Sequence, residues 1–585
     1  MTLIAGAFSR KNRPIPESVC ESLRQSVSRH SDDQVQLFRD QRSYFVKVDI
    51  GAFVELGWHH ELDGALSLVT GEPLLSAGTD AGSRNRKQDL ELIHEGLSRE
   101  DYETLQGANG TFCIVNYQPG PGTLHLVADK LGIRPLYYWI DEDYVVFASA
   151  LRVLEATPEI PRKMDVRAVT EMVALGYPLS NRTPYAGISL LHAAEVLRVN
   201  GSEVTSRKYW RWDNIQTSVE PVERLAQQLH TRFEEAVGRR NREDTTVAAY
   251  LSGGLDSRCV VAGLQAQNVR VHTFNFARPG TQDQLFGLEF AHLTEAIHEE
   301  VPKQAGDLVP DYSSLMAQSW NASRHRRVHP AERPQLVWSG EGGSVALGHV
   351  HLNQSIVDSM RAGRINGAIN EFVEREYVYV SPKLFRPKVG EELAGVVTKG
   401  IREELAGFRS QDPARNFYLF LMLNDQRRKL ASHFENIDQH RLELQLPFFD
   451  SHFLAAIIAI PIDSCLRHGL YLKWLGHFDS SVTSIPWQAY PGHEPCPLPI
   501  PQGLAYQWAA NYQTAERASQ KDLVNKQASA LLDPTDFPNQ LLSKRNLRMA
   551  TWLHTLGWRD YEHVIKAAQT YRTYWKACAG EYVLP

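Results

Sequence analysis

Residues 245–267 read TTVAAYLSGGLDSRCVVAGLQAQ, in which a glycine-containing turn separates an apolar stretch from a helix-like stretch. The residues that follow, 269–276, read VRVHTFNF and form a second strand-like stretch. A strand, a helix and a strand in this order are typical of a βαβ unit, and such units build parallel sheets. The middle of the chain is therefore predicted to contain a parallel α/β sheet.

The turn itself, LSGGLDSR at 251–258, has features of an anion-binding site. Between a strand end and a helix start it presents backbone N–H groups and a helix N-terminus, which favour a phosphate or pyrophosphate. Ser252 and Ser257 add hydroxyl donors. A Gly-Gly pair alone is weak evidence, because many tight turns carry it for backbone reasons only. Asp256 strengthens the prediction, since a carboxylate beside a phosphate is explained best as a magnesium ligand.

The rest of the chain falls into two parts with different patterns. The first two hundred residues contain short strand-like runs between turn signals, which predicts an antiparallel, β-rich layered domain. A long amphipathic helix pattern begins near residue 221, and beyond residue 355 the pattern is mostly helical. We place the boundary between the two domains after residue 212, which gives domains of residues 1–212 and 213–585.

Composition narrows the class of partner. The net charge of −6 comes from interleaved acidic and basic residues, so neither nucleic acid nor a membrane surface is predicted as partner. A small molecule or a peptide is the default. The six cysteines lie far apart without Cys-x-x-Cys spacing, which predicts no disulfide framework and fits a reducing cytoplasm. The longest apolar run, at 453–462, is too short to span a bilayer, and the N-terminus does not read as a signal peptide.

Several stretches together resemble the asparagine synthetase superfamily of ATP pyrophosphatases. SGGLDS resembles the family's pyrophosphate loop, and three further stretches match the family's pattern in the same order along the chain: ADKLGIRPLYYWIDEDYVVFASALRVL at 128–154, WSGEGG at 338–343 and LELQLPFFD at 442–450. The resemblance implies an N-terminal αββα sandwich of the N-terminal-nucleophile type. A doubly wound parallel α/β domain with a helical C-terminal extension would follow it.

The resemblance also implies ATP and Mg2+ as cofactors and a set of binding residues. The ATP and pyrophosphate site would be formed by Leu251, Ser252, Gly253, Gly254, Asp256, Ser257, Ser339 and Gly340, with Asp256 as metal ligand. Glu341 would orient or deprotonate the attacking amine. Ser344 stands where the family carries its second metal-binding Asp, which should weaken magnesium binding. The family's late-loop lysine has no counterpart in IPWQAYPGHEPCP at 485–497, and Lys473, just upstream, is the candidate to replace it or else a solvated helix residue.

The predicted first domain departs from the family where glutamine would be hydrolysed. Glutamine-using members carry an N-terminal cysteine nucleophile, and Thr2 stands at that position here. The family's Asn-Gly-Glu stretch reads Thr70, Gly71 and Glu72, and RHSD at 29–32 is the possible counterpart of its Arg-Gly-Pro-Asp stretch. We therefore interpret Thr2, Gly71 and Glu72 as a degenerate glutaminase site in a structural domain.

Other candidate residues carry weaker predictions. His349 and His351 would share one face of a strand and could hold zinc, but ordinary packing or polar roles are favoured because no further ligand is evident nearby. WHHELD at 58–63 receives the same interpretation. Asp283 lies where the family often carries an acidic residue near the substrate or ATP.

The function implied by the resemblance is an ATP-dependent, AMP-forming ligase that activates a carboxylate as an acyl-adenylate and joins it to an amine. Loss of the glutaminase favours ring closure within one substrate, as in lasso peptide cyclases and β-lactam synthetases, and the former are more similar in their altered start and length. The partner would be a carboxylate-bearing small molecule or peptide. For a peptide, the resemblance to lasso peptide cyclases adds a leader protease or a precursor-peptide-binding protein. The alternatives are a glutamine- or ammonia-dependent asparagine synthetase and a non-catalytic, nucleotide-binding relative.

Overall fold

The computed structural model describes residues 2–75, 84–301, 312–323, 329–489, 492–504, 506, 523–528, 530–532 and 536–585. The architecture is mixed α/β. Antiparallel sheets form the first part, a parallel sheet the middle, and helices most of the remainder. The fold class expected from the sequence is confirmed.

Two six-stranded antiparallel sheets form the first part of the chain. Their orders are β11-β8-β9-β1-β3-β2 and β13-β12-β7-β6-β5-β4. The strands up to residue 208 are β1 (Thr2–Ser9), β2 (Val35–Arg39), β3 (Ser43–Asp49), β4 (Trp58–His60), β5 (Leu66–Gly71), β6 (Phe112–Gln118), β7 (Thr123–Ala128), β8 (Tyr137–Ile140), β9 (Tyr144–Ala148), β10 (Met164–Asp165), β11 (Ile188–Leu190), β12 (Glu195–Asn200) and β13 (Glu203–Lys208).

The side chains of β1 explain how these sheets stack. Ile4 and Phe8 lie in a core shared by the two sheets, whereas Leu3 and Ala5 lie in the core on the other face, where α1 packs. Successive residues of a strand point to opposite faces, so a strand buried on both faces is apolar throughout. Helices cover the outer faces, which gives the αββα order: α1 (Glu17–Ser26), α2 (Arg86–Ser98), α3 (Glu103–Gln106), α4 (Leu151–Ala156) and α5 (Val166–Leu175).

A five-stranded parallel sheet forms the middle of the chain, with the order β16-β15-β14-β17-β18. After β14, the chain adds β15 and β16 on one side of that strand, and later adds β17 and β18 on its other side. The strand order therefore reverses between β14 and β17. The elements are α6 (Val222–Asn241), β14 (Thr246–Tyr250), α7 (Leu255–Ala266), β15 (Arg270–Asn275), α8 (Gln282–Leu293), β16 (Ile297–Glu300), α9 (Tyr312–Ser323), β17 (Leu336–Trp338) and β18 (Glu443–Gln445).

Helices make up most of the described remainder. They are α10 (Gln354–Arg361), α11 (Ile365–Glu376), α12 (Pro387–Leu393), α13 (Val396–Ala406), α14 (Pro413–Phe420), α15 (Arg427–Glu435), α16 (Ile437–His440), α17 (Ser451–Ala459), α18 (Ile462–Cys465), α19 (Gly469–Leu475), α20 (Ser481–Ser484), α21 (Lys544–Thr555) and α22 (Glu562–Ala577). A final strand, β19 (Tyr582–Val583), pairs in parallel with β10.

The expectation of a strand around His349 and His351 is wrong. A π-helical turn occupies Gly343–Leu347, and both histidines lie in the turns that follow it. His349 Nε2 lies 3.0 Å from Arg415 Nη1, and its ring stacks on Tyr418. His349 is therefore a packed core residue.

The antiparallel sheets and the parallel sheet are joined by buried polar contacts. Arg134, after β7, forms a bidentate ion pair with Glu443 of β18, and Arg134 Nη1 lies 3.1 Å from Glu443 Oε2. Arg242 Nη2 lies 2.6 Å from Glu72 Oε1. The predicted division after residue 212 stays a prediction; a 3-10 turn occupies Trp212–Asn214 there.

Within the described residues, no single helix has the length and apolar character to cross a bilayer, although one bent pair, Ser451–Ala459 with Ile462–Leu475, passes by length and composition alone. All six cysteines are free thiols.

Candidate functional site

The candidate site lies where β14 and β17 end. The loop 251–257 leaves β14, and the loop 339–344 leaves β17. In open parallel sheets a ligand crevice forms at the carboxyl ends of the strands where the strand order reverses, and this reversal falls between these two strands. A cavity of about 300 Å³ occupies that position. The predicted residues that line it are Ser252, Gly254, Asp256, Ser257, Ser339, Gly340 and Glu341.

The glycine loop is held by its own side chains. Ser257 Oγ accepts a hydrogen bond from the Ser252 N–H at 3.0 Å, and Ser252 Oγ accepts one from the Gly254 N–H at 3.1 Å. Helix α7 starts at Leu255, inside the stretch 251–258 that the sequence predicted to be a turn, and none of the described side chains caps it. Its first turn therefore presents N–H groups to the cavity, and a helix N-terminus of this kind favours an anion.

Two glycines are explained by close packing rather than by the ligand. A Cβ added at Gly340 would lie 2.6 Å from the Ser257 nitrogen, and one added at Gly253 would lie 2.6 Å from the Gln282 carbonyl oxygen. The first contact brings the loop after β17 directly against the start of α7. Glycine at 340 thus sets how closely the two loops approach each other.

Asp256 lies in the first turn of α7, and protein donors occupy both of its carboxylate oxygens. Ser344 donates to Oδ2 from its backbone N–H at 3.0 Å and its hydroxyl at 2.7 Å, and Tyr471 OH donates to Oδ1 at 2.7 Å. Burial raises the pKa of Asp256, and these donors oppose the rise. Magnesium needs oxygen atoms with free lone pairs. Oδ2 already accepts two hydrogen bonds, whereas Oδ1 accepts one and keeps a lone pair for an ion, so magnesium binding by Asp256 stays a prediction.

Glu341 is the acid with the most altered proton affinity at this site. Burial, followed by the charge of Asp256, raises the pKa of Glu341 to about 7. A carboxyl group with this pKa can accept or release a proton near neutral pH. The sequence placed Glu341 in the site, but it did not reveal the burial or the nearby Asp256 charge that raise its pKa.

Lys473 pairs with a residue of α6, and its catalytic role stays a prediction. Its side chain is half exposed, and its Nζ lies 2.7 Å from Glu223 Oε1 on α6. It is not among the described residues that line the cavity, whereas its neighbours Tyr471 and Leu472 are. The reason is the orientation of the short helix α19, which packs on α6 and turns Tyr471 toward Asp256. Leu251 and Gly253, also predicted to bind nucleotide, do not line the cavity either.

Sequence reasoning missed several residues of the site. Arg258 is fully buried and fastens the loop, since its guanidinium donates to the Gly253 carbonyl at 3.1 Å and to the Ile485 carbonyl at 2.9 Å. Its place directly after SGGLDS was the available signal. Tyr471, His468 and Gln426 also line the cavity, and no local motif marks them. The described lining includes neither lysine nor arginine.

The predicted glutaminase residues lie at one end of β5 and at the start of β1. Thr2 pairs with Asp49 in the backbone register. Gly71 has φ +70°, and a Cβ there would lie 2.1 Å from the Thr111 carbonyl oxygen. Glu72 is buried, and Arg242 binds one of its oxygens while Gln445 Nε2 donates to the other at 3.1 Å. Both oxygens of the Glu72 carboxylate thus accept hydrogen bonds from residues after position 212.

A buried arginine lies beside Gly71. Arg86 of α2 donates to the Gly71 carbonyl at 2.9 Å and to the Glu55 carbonyl at 3.0 Å, and its guanidinium lies over the Phe53 ring at 4.5 Å. In RHSD, Arg29 instead pairs with Asp438, at 2.7 Å, in the helical part of the chain. Arg29 is therefore an interface residue and is not grouped with Glu72.

Comparison with protein families matches two parts of the chain. A family model described as a glutamine amidotransferase domain matches residues 79–210, and one described as asparagine synthase matches residues 228–343. The first match begins after Thr2, Gly71 and Glu72. The second contains the loops after β14 and β17 up to residue 343.

Curated relatives align with about a third of the chain. A putative glutamine-hydrolysing asparagine synthetase 2 of Methanocaldococcus jannaschii is 28% identical over 34% of this chain and 39% of its own length. Glutamine-hydrolysing asparagine synthetase 3 of Bacillus subtilis is 24% identical over 30% of this chain and 29% of its own. Amidase chyE of Penicillium rubens is 28% identical over 32% and 27%.

The chain thus spans less than two-fifths of the length of these relatives, and the similarity concerns domains rather than whole proteins. The two family models nevertheless match in the order that the loops and the fold predict. Residues 79–210 and 228–343 are therefore similar to the glutamine amidotransferase and asparagine synthase families, and identity to the relatives named above is 24–28%.

Proposed function

We propose that the chain is an ATP-dependent, AMP-forming ligase that joins a carboxylate to an amine. The observation that carries the proposal is the convergence of the loops 251–257 and 339–344 on one cavity of about 300 Å³ at the switch point of the parallel sheet. Cavities of this size and position are typical of small-molecule sites. The relatives named as asparagine synthetases support an amide-forming reaction.

In the proposed reaction the substrate carboxylate attacks the α-phosphate of ATP, and pyrophosphate leaves. The amine then attacks the acyl carbon of the adenylate, and AMP leaves. The uncapped first turn of α7 and the hydroxyls of Ser252 and Ser257 would hold the pyrophosphate. Glu341 would orient the amine and take its proton, which its pKa of about 7 permits at neutral pH. Magnesium would be bound to the phosphates of ATP as their counter-ion, and none of these steps depends on it.

We further propose that the first domain releases no ammonia from glutamine. Arg242 and Gln445 donate hydrogen bonds to the two oxygens of the Glu72 carboxylate. Arg86 donates a hydrogen bond to the Gly71 carbonyl. The amine would then come from the substrate itself, which favours closure of a ring in a peptide or a small metabolite. A leader protease and a precursor-peptide-binding protein would be the partners of a peptide-cyclising enzyme.

The decisive experiment measures ATP binding by calorimetry and AMP release with panels of carboxylates and amines, for the wild type and for Glu341→Gln. We expect both proteins to bind ATP and only the wild type to release AMP and pyrophosphate in equal amounts. Release of ADP would contradict the adenylation step. AMP formed from aspartate with glutamine or ammonia would instead identify an asparagine synthetase.

One observation favours the alternative of a non-catalytic relative. The described cavity lining contains no lysine or arginine, although four negative charges arrive with ATP. ATP binding without AMP release for any carboxylate offered would support this alternative.

A further inference from the structure

Two histidines and a glutamate meet on the second antiparallel sheet, far along the chain from the cavity loops. His59 belongs to β4, Glu61 follows that strand, and His94 belongs to α2. One ligand atom of each side chain lies within 4.8 Å of the others. Glu61 Oε1 lies 3.5 Å from His59 Nε2 and 3.4 Å from His94 Nε2.

These separations match the spacing of ligands around a tetrahedral metal ion. Zinc bonds of about 2.0–2.2 Å to nitrogen and oxygen place neighbouring tetrahedral ligands about 3.3–3.5 Å apart. Both contacts of Glu61 Oε1 fall at this spacing. The His59 and His94 ring centroids lie 4.7 Å apart, and their ligand nitrogens lie within 4.8 Å of each other.

His94 provides an independent indication of a ligand. The residue is buried at 1% exposure, and its Nε2 has no hydrogen-bond partner among the described residues. On the other side of the ring, Nδ1 lies 2.9 Å from Ser67 Oγ and 3.3 Å from Asn116 Nδ2. A metal ion at Nε2 would place the ring hydrogen on Nδ1, where Ser67 Oγ can accept it.

His59 has a second carboxylate near its other ring nitrogen. Its Nδ1 lies 3.8 Å from Glu91 Oε1, on the same helix as His94. A carboxylate behind the ligating histidine fixes the ring and raises its basicity. For His94, the neighbour of the other ring nitrogen is Ser67 Oγ. Asn116 Nδ2 in turn donates a hydrogen bond to Ser67 Oγ at 2.9 Å.

We propose that His59, Glu61 and His94 bind one divalent transition-metal ion, with zinc as the preferred ion and water as the fourth ligand. Two imidazoles and one carboxylate suit zinc and exclude magnesium and calcium, which take oxygen ligands. The ion would fasten β4 and the loop after it to α2. None of these three residues is among the described residues that line the ligase cavity. The metal-site proposal therefore does not depend on the proposed ligase function.

The test measures zinc bound to the full chain after chelator treatment and dialysis, by elemental analysis, and repeats the titration with cobalt by visible absorption. The variants are His59→Gln and Glu61→Gln. His60→Gln is the matched control, because His60 is exposed and points to the opposite face of β4. Circular dichroism and ATP binding check that each variant is folded.

We expect one zinc ion per wild-type chain and the intense visible bands of tetrahedral cobalt. Loss of a residue that only hydrogen-bonds to a metal ligand weakens metal sites by about 10- to 100-fold, so loss of a ligand itself should weaken zinc binding at least about tenfold. His60→Gln should bind zinc like the wild type. The proposal is overturned if the wild type binds no more zinc than His59→Gln, or if His60→Gln loses as much as the ligand variants.

Discussion

At the residue scale, Asp256 is a buried carboxylate held by hydrogen bonds from distant parts of the chain. Ser344 and Tyr471 donate three hydrogen bonds to a carboxylate that the family resemblance assigned to magnesium. The sequence did reveal Ser344 as a departure from the family. It could not reveal the bond between Ser344 and Asp256, because 88 positions separate them and only the packing of two loops brings them together.

Tyr471→Phe should therefore destabilise the protein. The change removes a hydrogen bond of 2.7 Å to a buried carboxylate, and bonds to charged groups contribute about 1.5–3 kcal/mol to the free energy of unfolding. Urea unfolding followed by fluorescence measures the loss. Tyr379→Phe, at a side chain that is 72% exposed, is the control and should change nothing. Equal stability of both variants would show that Tyr471 does not stabilise Asp256.

Glu341 predicts how ATP binding depends on pH. Its raised pKa keeps the side chain neutral below about 7, and above that value it carries a negative charge that repels the triphosphate. The wild type should lose ATP affinity as the pH rises from about 6 to about 8, and Glu341→Gln should lose less, because glutamine stays neutral. Calorimetry at several pH values measures both proteins. The protonation of ATP itself affects both alike, so parallel curves would contradict the prediction.

At the element scale, the periodic patterns predicted the elements well and their orientation poorly. The apolar period at 221–241 predicted a helix, and α6 runs over Val222–Asn241. The apolar runs before and after the glycine loop became β14 and α7. Which side of α19 faces the cavity was not predictable, since that depends on how α19 packs against α6. The sequence therefore did not reveal that Lys473 pairs with Glu223 while Tyr471 lines the cavity.

Gly340→Ala should open the junction between the loop after β17 and helix α7. The added Cβ would lie 2.6 Å from the Ser257 nitrogen, and the backbone must move to accept it. Overpacking of this kind costs about 1–3 kcal/mol, and the displaced loop should weaken ATP binding more than tenfold. Gly120→Ala is the control, because a Cβ there has open space around it. Calorimetry and thermal unfolding of the two variants give the comparison, and unchanged ATP affinity in Gly340→Ala would refute it.

At the scale of the whole molecule, buried ion pairs join the antiparallel sheets to the parallel sheet. Arg134 and Glu443 are almost fully buried, at 4% and 0% exposure, and the Arg134 guanidinium also lies over the Phe434 ring at 4.0 Å. Both residues fall in stretches that the family resemblance singled out, but their pairing across 309 positions became visible only in the structure. These contacts predict that the two parts of the chain unfold together.

Arg134→Leu should uncouple the two parts. The variant leaves the Glu443 carboxylate buried without its partner, and breaking a buried pair in this way costs about 3–5 kcal/mol. In scanning calorimetry we expect one transition for the wild type and a lower, broadened or divided transition for the variant. The double variant Arg134→Leu with Glu443→Leu should recover most of the loss, because two apolar side chains leave no unpaired charge. Lys473→Ala is the control, since its exposed pair with Glu223 contributes only about 0–1 kcal/mol. If the double variant is no more stable than Arg134→Leu, the loss comes from packing at Arg134 rather than from the unpaired carboxylate.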